Sequence, residues 1–174
     1  MLKRIVFLAA ALLLAGGAAA QSQQAVRDQL FGAVDGSKQA AEAAKANVLA
    51  PGAYGEAMKL YASAGDELAK GKDLDRVREE TTEAKTLFDK STEAAKLAQV
   101  TFADTLTARA AAEKAEAAKY AARDWAKVEE TLLEAAVQLE GGNMNRATKT
   151  AADAIEDYRE VEADAINARA KATN

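Results

Sequence analysis

An all-α fold follows from three features of this 174-residue chain. Alanine is the commonest residue, 46 of 174, and with Glu, Lys, Leu and Gln it makes a composition of strong helix formers. Proline occurs once, at Pro51, and neither Gly nor Pro falls between Lys72 and Glu140. Apolar residues recur every three or four positions, and the β-branched and aromatic runs of strand type are absent. The expected architecture is two tandem three-helix units of about 70 residues each that share one long central helix, as a spectrin-like or elongated helical bundle.

The N-terminus reads as a signal peptide over residues 1–20. Lys3 and Arg4 give a positive start, and Ile5 through Leu14 is an apolar run too short to span a bilayer. Gly16-Gly17 interrupts that run, and Ala18-Ala19-Ala20 offers the small residues a signal peptidase accepts. Cleavage is expected after Ala20, with export to the periplasm. The chain has no Cys, so no lipoprotein anchor is expected and the fold must hold by packing without disulfides. Residues 21–174 carry 21 basic and 27 acidic side chains, net −6, which disfavours nucleic acid and anionic lipid as partners. No membrane-spanning segment is expected after cleavage.

Four stripes have helical spacing. They are Tyr54, Ala57, Tyr61, Ala64, Leu68; then Leu74, Val77, Thr81, Ala84, Phe88, Ser91, Ala95, Ala98, Phe102; then Trp125, Val128, Leu132, Ala135, Leu139; and Met144, Ala147, Ala151, Ala154, Tyr158, Val161, Ala165. Each places apolar groups on one face and charges on the other. Breaks are expected weakly at Asp35-Gly36, and by turn chemistry at Pro51-Gly52, Gly71-Lys72 and Gly141-Gly142-Asn143.

The chain also repeats itself. A shift of 71 brings Phe31 to Phe102, Glu42 to Glu113, Tyr54 to Trp125, Leu68 to Leu139 and Gly71 to Gly142. Beyond that turn the shift becomes 70, and Leu74 meets Met144, Arg76 meets Arg146, and Phe88 meets Tyr158. Each unit therefore reads helix, helix, Gly turn, helix, with unit one at 21–95 and unit two at 96–174. The shared helix would run from Asp73 to Ala121, roughly 70 Å. The alternative is a bend near Gln99 that folds the chain into one compact bundle. Every aromatic beyond residue 20 pairs with an apolar residue in the other copy, Tyr61 with Leu132 and Leu49 with Tyr120 among them. That pattern marks core positions and leaves no aromatic to nominate as a binding anchor.

Chemistry is sparsely provided for. With no His and no Cys, the usual general base, the Ser-His and Cys-His pairs, and zinc or iron–sulfur ligands are missing. Asp73-Leu74-Asp75 resembles the start of a calcium loop, but no Gly stands at the sixth position and no Glu at the twelfth. The carboxylate clusters Glu79-Glu80-Glu83, Glu129-Glu130 and Glu160-Glu162-Asp164 read as solvated helix faces. No catalytic, cofactor-binding or metal-binding residue is nominated, and no cofactor and no enzymatic activity are expected.

Two resemblances remain. Gly142-Asn143-Met144-Asn145-Arg146-Ala147, followed by Ala151 and Ala154, resembles the inter-helix turn of a tetratricopeptide repeat, without that family's 34-residue period. Leu49-Ala50-Pro51, Tyr54-x-x-Ala57, Leu139-Glu140-Gly141-Gly142 and the segment Tyr158 to Ile166 resemble Ala-rich periplasmic helical domains. Those form a family of unknown function, often found ahead of an OmpA-like peptidoglycan-binding domain that is missing here. Unit two also has Ala121-Ala122 where unit one has Ala50-Pro51. The resemblance implies a scaffold, spacer or interaction module of the cell envelope, with another envelope protein as partner. The competing expectation is a periplasmic carrier of an apolar or lipid-like ligand between helices.

Intact-mass analysis of protein recovered from periplasm is expected to give a chain beginning at Gln21. A retained Met1 would contradict the export assignment.

Overall fold

The computed structural model describes residues 6–173, with side chains from residue 23 onward. Residues 1–5, and the side chains of the expected signal segment, lie outside the described residues. Among the described residues there is no strand, and the fold is an all-α bundle of eight helices. They are α1 (Val6–Ala43), α2 (Ala46–Leu49), α3 (Pro51–Ala69), α4 (Leu74–Thr101), α5 (Ala103–Lys114), α6 (Ala117–Tyr120), α7 (Ala122–Glu140) and α8 (Met144–Ala172). Below, unit one denotes α1–α4 and unit two α5–α8.

The repeat holds at the level of individual backbone bonds. In unit one Lys45 adopts left-handed backbone, φ 58°, and Leu49 and Ala50 donate to the carbonyls of Lys45 and Ala46. In unit two Glu116 has φ 61°, and Tyr120 and Ala121 donate to Glu116 and Ala117. Both positions cost strain for a residue with a Cβ. The turn is held because the alanines after it, Ala46 and Ala117, are fully buried. The second turn repeats as well. Gly71 and Gly142 have positive φ and donate to Leu68 and Leu139, while Lys72 and Asn143 donate to Glu67 and Gln138. This is a Schellman ending, which needs glycine at the left-handed position. Asp73 and Asn143 then cap the next helices through their side chains.

Three expectations are corrected. No break occurs at Asp35-Gly36; α1 runs through both residues. Each unit has a fourth, short helix, α2 or α6, because the left-handed residue turns the chain before the helix at Pro51 or Ala122 begins. Pro51 sits in the first turn of α3, where its missing N–H costs nothing. The shared helix does not reach Ala121. Regular geometry lapses at Phe102, φ −107° and ψ 23°, and ends at Lys114. The hydrogen bonds Phe102 to Ala98 and Leu106 to Phe102 carry the ladder across the lapse. So α4 and α5 follow head to tail, with about 60 Å of contour between them. The cause at Phe102 is packing, since its ring, like that of Phe31, is 1% exposed. The boundary expected at 95/96 falls inside α4.

In unit one α1 and α3 both pack along α4 and meet each other through side chains such as Phe31 and Tyr61; in unit two α5 and α7 both pack along α8 and meet through Arg109 and Glu129. The stripes face inward as spaced, from Val77 to Phe102 and from Ala147 to Ala165, although their first members Leu74 and Met144 are exposed. Fully buried Ala57, Ala64, Ala84, Ala95, Ala98, Ala135 and Ala154 let the helices approach closely.

Leu139 ends the α7 stripe and is buried. Leu139→Ala is expected to cost about 2–5 kcal/mol in urea unfolding. An unchanged midpoint would contradict the inward assignment of that stripe.

Candidate functional site

The place where the two units meet combines a helix cap, an ionic network and a cleft. The cap arises because Ala50 has no side chain to satisfy the first N–H groups of α3. Those of Gly52 and Ala53 donate instead to the carboxylate of Glu140, at 2.8 and 3.0 Å. Glu140 is the last residue of α7 in the other unit. Its negative charge there also meets the positive end of the α3 dipole. Gly52 favours the approach, because a Cβ at that position would lie 3.0 Å from Glu140 Oε2 and push the carboxylate back by a few tenths of an ångström. Two further bonds fix the α4–α5 run on either side of Phe102, one within each unit. Gln99 Nε2 donates to the carbonyl of Ala44 at 2.9 Å, and Thr105 Oγ1 on α5 donates to the carbonyl of Ala151 on α8 at 2.8 Å.

The network centres on Arg109 of α5. Its Nε and Nη2 each donate at 2.8 Å to one carboxylate, that of Glu129 on α7. Its Nη1 lies 2.6 Å from Glu113, and its guanidinium stacks over the Trp125 ring. Tyr158 on α8 donates its hydroxyl to Glu129 at 2.6 Å. Burial pushes the Tyr158 phenol far above its ordinary range, and the bond to Glu129 adds to the shift. For Arg109, burial lowers the pKa, but Glu129 and Glu113 outweigh it and the net shift is upward. Both shifts hold Arg109 cationic and Tyr158 neutral at neutral pH. The arrangement clamps α5, α7 and α8 together.

The repeat supplies an internal comparison. The unit-one counterparts of Arg109, Glu129 and Tyr158 are Lys38, Met58 and Phe88. There the part-buried acid and the hydroxyl are replaced by apolar packing, and Lys38 pairs with Glu42 at 2.6 Å. Unit one has a network elsewhere. Tyr61 donates to Asp35 at 2.7 Å and Arg27 pairs with the same carboxylate, at positions that the 71-residue shift brings to Leu132, Leu106 and Ala98.

The cleft lies between the Lys45 turn and α5. Its volume is about 390 Å³, and Lys45, Asn47, Val48, Leu49, Gln99, Leu106, Arg109, Ala110 and Glu113 line it. Both units contribute walls, so neither copy could form it alone.

The three carboxylate clusters do not act as units. Glu79, Glu83, Glu130, Glu160 and Asp164 are exposed, Glu129 belongs to the Arg109 network, and Glu80 accepts from Ser63 and Arg76. Glu67, not singled out from sequence, is 6% exposed and pairs with Arg76 and Lys72. Among the described residues no group of three or more His, Cys, Asp or Glu is placed to hold a metal ion. Among them, too, no helix is long and apolar enough to cross a membrane. In comparison with known proteins, no family model, no curated protein and no solved structure matches the chain.

Glu129→Met alone is expected to cost about 1–3 kcal/mol in urea unfolding, because it strands Arg109 and Tyr158. The triple change Arg109→Lys, Glu129→Met, Tyr158→Phe writes the unit-one residues into unit two and is expected to recover most of that loss. A triple variant as unstable as the single one would show that the two cores are not interchangeable.

Proposed function

We propose that the chain is a non-enzymatic helical spacer or protein-interaction module of the bacterial cell envelope, exported to the periplasm. The observation that carries this reading is the joint. α4 passes into α5 without losing its hydrogen-bond ladder, and Glu140 locks the returning helix of unit two onto the start of α3. A joint bonded on both sides keeps two units in line and holds whatever binds at the two ends a fixed distance apart. The resemblance to Ala-rich periplasmic helical domains agrees with it, and the partner on this reading is another envelope protein.

The carrier alternative calls for room between helices. Alanine at the facing positions uses the space for close helix contact instead. The cleft at the joint opens at the surface between units, and a spacer can carry it without becoming a carrier.

Small-angle scattering of the chain from Gln21 tests the reading. α4 and α8, about 42 and 43 Å long, succeed each other along the axis, so a maximum dimension of about 80 Å is expected. A compact domain of this length has a radius of gyration of about 15 Å. A profile of that compact kind would count against the spacer and shift weight to the carrier.

A further inference from the structure

Lys45 and Glu116 hold the same left-handed position in the two units, yet their charges are opposite and so are their surroundings. In unit two Glu116 forms an ion pair with Arg169 of α8 at 3.7 Å. The unit-one counterpart of Arg169 is Gln99, which is neutral and spends its amide on the Ala44 carbonyl. Lys45 therefore lacks the charge partner that its counterpart has, and it stands on the wall of the joint cleft. The other cation of the cleft is already satisfied, since Arg109 is matched by Glu129 and Glu113. The remaining walls are Val48, Leu49, Leu106 and Ala110 on the apolar side and Asn47 as a further polar group. A volume of about 390 Å³ lies within the range of small-molecule sites.

We propose that this cleft binds a small organic monoanion with an apolar body, an alkyl or aryl carboxylate. The carboxylate takes the place of the missing acid beside Lys45, and the body lies on Val48, Leu106 and Ala110. Glu113, on the same wall, disfavours a second negative charge and so selects against dicarboxylates. Binding would bridge the two units, because Lys45 and Val48 belong to unit one and Leu106 and Ala110 to unit two. The proposal is independent of the spacer reading: a spacer need bind no small molecule, and a site of this kind needs only the joint.

The test is titration of the full chain with octanoate, followed by calorimetry and by amide chemical shifts. Octanol and suberate serve as the neutral and the dianionic comparison. Octanoate is expected to saturate one site and to shift the amides of residues 45–49 and 106–113. Lys45→Gln, an exposed change that leaves the fold intact, is expected to weaken octanoate about tenfold or more, in keeping with loss of one ion pair, and to leave octanol unchanged. Ala110→Trp, also at an exposed position, fills the cleft and is expected to abolish binding without lowering the thermal midpoint. The proposal is overturned if octanoate does not saturate at millimolar concentration. It is also overturned if octanol or suberate binds as tightly, or if Lys45→Gln binds octanoate as well as the parent does.

Discussion

The carboxylate of Glu140 does for α3 what Ala50 cannot. The helix begins with Ala-Pro-Gly, a start that offers no side-chain acceptor, and its first free N–H groups find one 87 and 88 residues away in the chain. A side-chain cap is worth about 0.5–2 kcal/mol, a modest sum within one helix. Here the cap lies between two units, so the same energy is a coupling. It fixes the end of α7 against the start of α3. The Arg109 network then fixes α7 to α5 and α8, and α5 continues from α4. The cleft exists only because this chain of contacts brings the Lys45 turn opposite α5.

The two units show how a repeated backbone tolerates unequal contents. Their turns match bond for bond, including two residues strained into left-handed backbone. Their interiors differ in where polarity is buried. Unit one keeps Phe88 and Met58 apolar and places an acid–hydroxyl pair at Asp35 and Tyr61, whereas unit two places Glu129 and Tyr158 where unit one is apolar. In each case a part-buried acid is met by a tyrosine hydroxyl and an arginine. Such networks add little net stability over apolar packing; what they supply is a fixed orientation of the helices that carry them.

Much of this was legible in the residues. The stripes predicted the buried faces because a 3.6-residue period leaves little freedom in which side points inward, and the internal matches located both Gly turns. The rest was hidden for physical reasons. Lys45 and Glu116 look like ordinary helix residues, since nothing but packing forces them into left-handed backbone. Phe102 lies in a run of good helix formers, and its burial outweighs their propensity. The joint left a faint signal. A glutamate at the C-terminal end of α7 opposes its own helix dipole, and α3 starts without a capping residue; each defect is the other's remedy. Neither the Arg109 network nor the cleft could be read off, because both depend on which faces of α5, α7 and α8 meet.

The central claim is that Glu140 couples the units by capping α3, and amide hydrogen exchange at Gly52 and Ala53 tests it most directly. These groups sit in the first turn of a helix, where amides without a partner exchange freely. The account predicts that both are protected in the parent chain and that Glu140→Ala removes this protection while the amides in the middle of α3 stay protected. Fast exchange at Gly52 and Ala53 in the parent, or protection that survives Glu140→Ala, would contradict it.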